Sequence, residues 1–173
     1  VAMNKKLVVY FSHKGENYSK GRIVNLKKGN TEIAAEIISN ITGADIFEIV
    51  ADKKYPIKYD DCIEIAKKEL RENSRPKLKD DIDIKEYDTI FVGYPNWWGT
   101  MPMPVWTFLE EKDFTNKKVL PFCTHEGSGL GKSESDIKKM TGGAEVLKGL
   151  AINGSEVNNS EKQIKKWLEE RLE

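Results

Sequence analysis

The sequence has few cysteines and histidines and no excess of charge of either sign. Two cysteines among 173 residues are too few for a disulfide framework or a cysteine zinc site. The two histidines have no further ligands near them at metal-binding spacing. Lys and Arg number 28, and so do Asp and Glu. The zero net charge gives no reason to expect nucleic-acid or anionic-membrane binding.

Long hydrophobic runs are also absent. No apolar stretch approaches the roughly 20 residues that a membrane-spanning helix needs, and the N-terminus lacks the apolar region of a signal peptide. We therefore expect a cytoplasmic protein with reduced thiols and no membrane partner. Because no Pro-, Gly- or Ser-rich linker divides the chain, we predict a single domain over residues 4–173.

Short apolar runs alternate with amphipathic segments along the chain. Strands are predicted at residues 6–11, 45–49, 89–93, 119–123 and 145–147. Helices are predicted at residues 31–42, 60–70, 103–111, 133–140 and 160–172. Five strands that alternate with five helices predict an α/β fold whose parallel sheet is covered on both faces.

Local signals mark several element ends. Gly43 ends the first helix, Asp60/Asp61 caps the second, and Ser133–Asp136 matches a capping box for the fourth. Pro121 is unusual within the fourth strand, because proline has no N–H to donate to a sheet.

The segments after the first strand are rich in small polar residues. Ser12-His13-Lys14-Gly15 follows the strand, and Gly29-Asn30-Thr31-Glu32 enters the first helix. Hydroxyl and amide groups at a helix N-terminus suit an anion. The alternative is that Asn30 or Thr31 only caps the helix.

The segment after the third strand contains two adjacent tryptophans, Trp97 and Trp98, between prolines. Large aromatic rings at a strand end suit stacking on a planar heterocycle. A hydrophobic lid or an oligomer interface is the alternative.

The segment after the fourth strand, residues 124–133, is rich in glycine. Glycine lets the backbone approach a ligand closely. Gly131-Lys132-Ser133 matches the end of a nucleotide-binding P-loop, but the motif needs a glycine where Glu126 stands. The spacing therefore argues against a nucleotide triphosphatase.

Together these segments resemble flavodoxin-like FMN proteins over nearly the whole chain. The resemblance rests on Tyr10-Phe11-Ser12, Gly29-Asn30-Thr31, residues 93–99 and residues 124–129. The last two blocks are similar to a branch of the family with paired tryptophans. The resemblance implies a flavodoxin-like three-layer sandwich with a five-stranded parallel sheet, strand order 2-1-3-4-5, which binds FMN non-covalently.

The resemblance also implies three groups of cofactor-binding residues and no catalytic residue. The phosphate would be held by Ser12, Lys14, Gly29, Asn30 and Thr31. The isoalloxazine, with one tryptophan against it, would be flanked by Pro95, Asn96, Trp97, Trp98 and Gly99. Its pyrimidine side would be lined by Thr124, His125, Glu126, Gly127 and Ser128. The family's phosphate loop is compact, whereas Gly15–Lys28 is inserted here as a lid, a partner surface or a tolerated excursion.

The resemblance leads us to expect an electron carrier between redox partner proteins, as a monomer or homodimer. The alternative is an FMN-dependent NAD(P)H:quinone oxidoreductase, and a third possibility is a cofactor-free interaction module. A second dinucleotide motif is absent, which favours the carrier. Because the site is apolar, we expect a low potential for the second electron. Basic residues of the insert and its flanks suggest an anionic partner or a pyridine-nucleotide phosphate: Lys14, Lys20, Arg22, Lys27 and Lys28.

Overall fold

Strands and helices alternate through the computed structural model, which describes residues 5–172. Residues 4 and 173, the ends of the predicted domain, lie outside the described residues. The strands are β1 (Lys6–Tyr10), β2 (Gly15–Ser19), β3 (Arg22–Leu26), β4 (Asp45–Glu48), β5 (Thr89–Pro95), β6 (Lys118–His125), β7 (Glu145–Val146) and β8 (Leu150–Asn153). The α-helices are α1 (Asn30–Thr42), α2 (Tyr59–Arg71), α3 (Met103–Glu111), α4 (Ser133–Met140) and α5 (Glu161–Leu172), and a 3-10 helix spans Gly154–Asn159.

The main sheet is parallel, in the order β4-β1-β5-β6 followed by β7 and β8. This confirms the predicted order 2-1-3-4-5. Alternate side chains of β1 enter two separate cores: Leu7 and Val9 pack with α3, and Val8 packs with α1 and α5. Burial on both faces explains why the strands are continuous apolar runs.

The fifth position of the sheet is shared by two short strands, and the break between them lies beside Pro121. Val119 O accepts a hydrogen bond from Leu147 N at 2.9 Å, so the odd-numbered residues of β6 direct their backbone groups toward this edge. The backbone nitrogen of Pro121, which has no hydrogen to donate, faces the gap between the end of β7 and the start of β8. The sheet therefore accommodates the proline, because no continuous strand lies opposite it whose carbonyl would lose a hydrogen bond.

The insert after β1 forms an antiparallel hairpin, which the sequence analysis did not predict. Strands β2 and β3 pair from Gly15↔Leu26 to Ser19↔Arg22. The two turn residues, Lys20 and Gly21, have φ values of 51° and 82°. Positive φ at both central residues makes a type I′ turn, whose twist matches that of the strands it joins.

The helix ends differ in how well the sequence predicted them. Gly43 ends α1 in the left-handed region, with φ 74°, as predicted. The predicted caps of α2 and α4 are wrong, because neither helix has a side-chain cap from its own N-cap residue. The Ser133 hydroxyl instead donates to Leu130 O at 2.6 Å and accepts from the Tyr94 hydroxyl at 2.8 Å.

Candidate functional site

A cavity of about 380 Å³ opens at the carboxyl ends of β1, β5 and β6. This is the edge where open parallel sheets bind ligands, and the volume is within the range of small-molecule sites. The cavity is lined by Ser12, His13, Glu16, Asn17, Tyr18, Asn30, Thr31, Tyr59, Cys62, Ile63, Ala66, Pro95, Asn96, Trp97, Trp98, Gly99, Thr124, His125, Glu126 and Ser128.

All but three of the predicted binding residues line this cavity. The exceptions are Lys14, Gly29 and Gly127. Lys14 is exposed and lies close enough to Glu48 to lower the pKa of that carboxyl in part, against the larger effect of burial. Among the described residues, the cavity lining includes no lysine or arginine, so a phosphate role for Lys14 has no support in the geometry.

The polar end of the cavity is built around the N-terminus of α1. The Glu32 N–H donates to Ser12 Oγ at 3.2 Å, which leaves the Ser12 hydroxyl hydrogen free to face a ligand. A Cβ on Gly29 would lie 2.1 Å from Ser12 Oγ and 2.9 Å from His13 O. Glycine is therefore required at position 29 by this close approach, although it makes no cavity wall.

Two buried threonines join the N-terminus of α1 to the end of β6. Thr31 Oγ1 and Thr124 Oγ1 are 2.7 Å apart, and the side chains are 1% and 4% exposed. One hydroxyl donates to the other, so one of the two hydrogens stays available to an acceptor in the cavity.

The paired tryptophans occupy a tight turn and have different surroundings. Trp97 N donates to Thr100 O at 2.9 Å, and the central residues Trp98 and Gly99 have φ values of 58° and 92°. The turn is thus type I′, with tryptophan where Asn or Gly is usual. Trp97 packs within the protein, whereas Trp98 is 50% exposed with Lys67 Nζ 5.4 Å from its ring centroid. Trp97 therefore forms an inner wall of the cavity, and Trp98 forms an outer wall that faces solvent.

Asn96 connects the segment after β5 to the segment after β6. Its Nδ2 donates to Gly129 O at 2.8 Å, and its Oδ1 accepts from Gly99 N at 2.8 Å. Both side-chain amide groups are thus used within the protein. Asn96 lines the cavity, but its bonds fix the shape of the tryptophan turn.

His125 is held in one tautomer. The Gly127 N–H donates to His125 Nδ1 at 2.8 Å, so the ring proton of the neutral imidazole is on Nε2. Burial lowers the pKa of His125, because the charged form loses solvation. Gly127 does not line the cavity, but its N–H fixes the tautomer of His125, which does.

Eight lining residues were missed by sequence reasoning. One is His13, in the segment after β1, and the others come from the hairpin and from one face of α2: Glu16, Asn17, Tyr18, Tyr59, Cys62, Ile63 and Ala66. The α2 residues recur at helical spacing, which signals a helix face but does not say what that face covers. Cys62 is only 5% exposed, and burial raises the pKa of its thiol to about 12.

The hairpin and α2 hold each other in place. Glu16 N donates to Ile57 O at 2.9 Å, and Tyr59 N donates to Glu16 Oε1 at 2.9 Å. The Glu16 carboxylate thus caps α2 from outside the helix, where a negative charge is favourable. The Tyr18 and Tyr59 rings lie 6.0 Å apart above this contact. The insert is therefore a wall of the cavity.

The described residues contain no group of three or more His, Cys, Asp or Glu side chains suited to a metal ion. Within residues 5–172, no helix is both long enough and apolar enough to span a membrane.

Comparison with known proteins gives a consistent result. The family model for flavodoxins matches residues 5–171. A comparison with curated protein sequences found no match. Among solved structures, a provisionally assigned flavoprotein from Bacteroides eggerthii DSM 20697 is 29% identical, with a TM-score of 0.77 over 95% of this chain and 96% of its own.

Two further structures are similar along almost their full length. A provisionally assigned flavoprotein from Bacteroides uniformis ATCC 8492 is 30% identical, with a TM-score of 0.75 over 94% of this chain and 98% of its own. A flavoprotein from Lactobacillus acidophilus NCFM, solved in complex with FMN, is 27% identical, with a TM-score of 0.67 over 90% of this chain and 97% of its own.

Proposed function

The chain belongs to the flavodoxin family, and from this premise we propose that it is an FMN-binding electron-transfer protein. One observation carries the proposal. A single cavity of about 380 Å³ joins the hydroxyl-rich N-terminus of α1 to the tryptophan turn. An anion-binding end and an aromatic end in one space match the two ends of FMN.

The polar end fits a phosphate that is bound without a cation. Hydroxyl hydrogens of Ser12 and of the Thr31–Thr124 pair are available there, and the helix N-terminus favours negative charge. The close approach of Gly29 to Ser12 keeps this end narrow.

The aromatic end fits a flat ring system. Trp97 and Trp98 provide indole surface, and His125 Nε2 is a donor at the same cavity. When bound, FMN would supply the one- and two-electron chemistry, while these residues hold the ring and exclude water.

The hairpin half of the cavity favours a second candidate, an NAD(P)H:quinone oxidoreductase. Glu16 Oε1 accepts from Tyr59 N, and Asn17 Nδ2 donates to His13 O at 2.9 Å. With those polar groups bonded within the protein, this wall presents the Tyr18 ring and the apolar Ile63. Such a surface suits a neutral planar acceptor.

The first experiment is a titration of purified, flavin-free protein with FMN. We expect flavin fluorescence to be quenched at one FMN per chain, and replacement of Trp97 and Trp98 by alanine to weaken binding. Trp167→Phe is the matched control, because Trp167 of α5 lies in the core on the α1 and α5 side of the sheet. No quenching by wild-type protein would leave the cofactor-free interaction module as the better explanation.

A second experiment separates the carrier from the enzyme. A carrier reduces an acceptor only when a reductase is added, whereas NADPH consumption with a quinone and no added reductase would replace the carrier by the oxidoreductase. Four further expectations remain proposals: a cytoplasmic location, redox partner proteins or NAD(P)H as electron source, a monomer or homodimer, and a single domain.

The predicted attraction of an anionic partner to the basic insert is also a proposal. Lys28 Nζ donates to Glu36 at 2.7 Å, so its charge is partly compensated. The other four basic residues, Lys14, Lys20, Arg22 and Lys27, are exposed. Any such attraction would therefore depend mainly on these four residues.

A further inference from the structure

Trp97 is held by the edges of three other rings. Its centroid lies 5.2 Å from that of Phe11, 5.2 Å from that of Tyr55 and 6.0 Å from that of His13, with interplanar angles of 81°, 78° and 69°. Within residues 5–172, no protein group accepts a hydrogen bond from the Trp97 indole nitrogen. Packing, in which these three rings take part, therefore orients the indole, without a hydrogen bond from its nitrogen.

Two of the three rings are fixed through one dipeptide between β4 and α2. His13 Nε2 donates to Pro56 O at 2.8 Å. The Tyr55 hydroxyl donates to Glu69 Oε1 of α2. Tyr55 also packs edge-to-face on Phe11, with centroids 5.6 Å apart. Tyr55 and Pro56 thus hold Trp97 from two sides.

The bond to Glu69 anchors a segment that has no regular structure of its own. Residues 52–58 contain neither helix nor strand, whereas Glu69 lies within α2. Burial raises the pKa of the Glu69 carboxyl, and the hydrogen bond from the Tyr55 hydroxyl, which favours the ionised form, opposes that shift. Without this bond, the tyrosine would be fixed by ring packing alone.

We propose that Glu69 is a positioning residue of the site, which acts through the Tyr55 hydroxyl to hold Trp97 in its place at the cavity. The inference rests on the proposed FMN site. It assigns a function to a carboxyl that does not line the cavity.

The experiment compares three site variants with a matched control. Tyr55→Phe removes only the hydroxyl, Glu69→Ala removes the acceptor, and Glu69→Gln keeps an acceptor oxygen without the charge. Tyr87→Phe is the control, because Tyr87 donates to Asp45 Oδ2 at 2.6 Å at the opposite end of the sheet. The two tyrosine variants lose the same kind of bond at different places.

The readouts are the FMN dissociation constant and the near-ultraviolet circular dichroism of Trp97 in flavin-free protein, isolated by subtracting the spectrum of Trp97→Phe. We expect Tyr55→Phe and Glu69→Ala to raise the constant about fivefold and to weaken the Trp97 signal. Glu69→Gln should stay within about twofold of wild type, and Tyr87→Phe should change only the unfolding midpoint.

The inference is overturned if Tyr55→Phe lowers stability but leaves both the constant and the Trp97 signal at wild-type values. It is also overturned if Tyr87→Phe weakens FMN binding equally, or if Glu69→Gln behaves as Glu69→Ala. If wild-type protein binds no FMN, the proposed function fails, and the Trp97 signal alone decides the positioning role.

Discussion

Thr31 and Thr124 are 93 positions apart in the chain, yet their hydroxyl oxygens lie 2.7 Å from each other in the protein interior. The bond connects the first turn of α1 to the end of β6. This hydrogen bond joins two walls of the cavity that the local sequence forms independently.

The contributions of the two threonines to stability should not be additive, because each hydroxyl is the hydrogen-bond partner of the other. Thr124→Val leaves the buried Thr31 hydroxyl without its partner, so we expect the free energy of unfolding to fall by about 1–3 kcal/mol. The double variant Thr31→Val/Thr124→Val should lose less than the sum of the single variants, although FMN binding weakens further. Urea unfolding of all four proteins measures the coupling, and strict additivity would show that the hydroxyls do not depend on each other.

Trp98→Asn should raise stability and lower FMN affinity. The positive φ of Trp98 costs about 1 kcal/mol for most residues, and asparagine adopts that conformation readily. The variant, however, loses the indole wall. Thermal unfolding of flavin-free protein and FMN titration report the two effects separately. A fall in both quantities would mean that the indole contributes more to the fold than its exposure indicates.

Glu16→Ala should destabilise the protein by about 1 kcal/mol, since it removes the carboxylate that caps α2. Glu16→Gln keeps an oxygen acceptor and should lose less. Glu64→Ala, an exposed acid of α2 that does not line the cavity, is the control. Chemical unfolding measures all three, and equal effects at Glu16 and Glu64 would contradict a specific cap.

The sequence predicted those elements whose type is determined by a single periodic pattern of apolar residues. The apolar strands and the helix that ends at Gly43 are of this kind. The hairpin was missed because its only strong signal is Gly21, and a lone glycine does not specify a type I′ turn. The predicted cap at Ser133 is wrong because Tyr94, distant in sequence, bonds that hydroxyl. The direction in which α2 faces depends on the irregular segment before it, which carries no pattern.

His125 should reduce stability in mildly acidic solution. Its pKa is lowered in the folded protein, so below pH 6.5 the unfolded chain binds the proton more readily, and the stability contribution is lost as pH falls. Carboxyls with raised pKa values, such as Glu126, give the opposite slope. The measurement is therefore the difference between wild type and His125→Gln in unfolding free energy from pH 8 to pH 5. A difference that does not change with pH would contradict this contribution.

FMN bound to the protein should accept its second electron at a lower potential than free FMN. The described lining has two carboxylates, Glu16 and Glu126, and no cation to offset added negative charge. Glu126→Gln should move that potential toward the value for free FMN, whereas Glu64→Gln should not. Spectroelectrochemical titration measures both couples, and a second potential at or above that of free FMN would disprove the electrostatic argument.

The break in the sheet beside Pro121 also bears on how molecules of this protein meet. The outer edge there consists of β7, with two residues, and β8, with four. A long, flat edge offers a row of N–H and C=O groups on which a strand of another molecule can add. The interrupted edge offers no such row, so the break that accommodates one proline also protects this edge of the sheet from edge-to-edge aggregation.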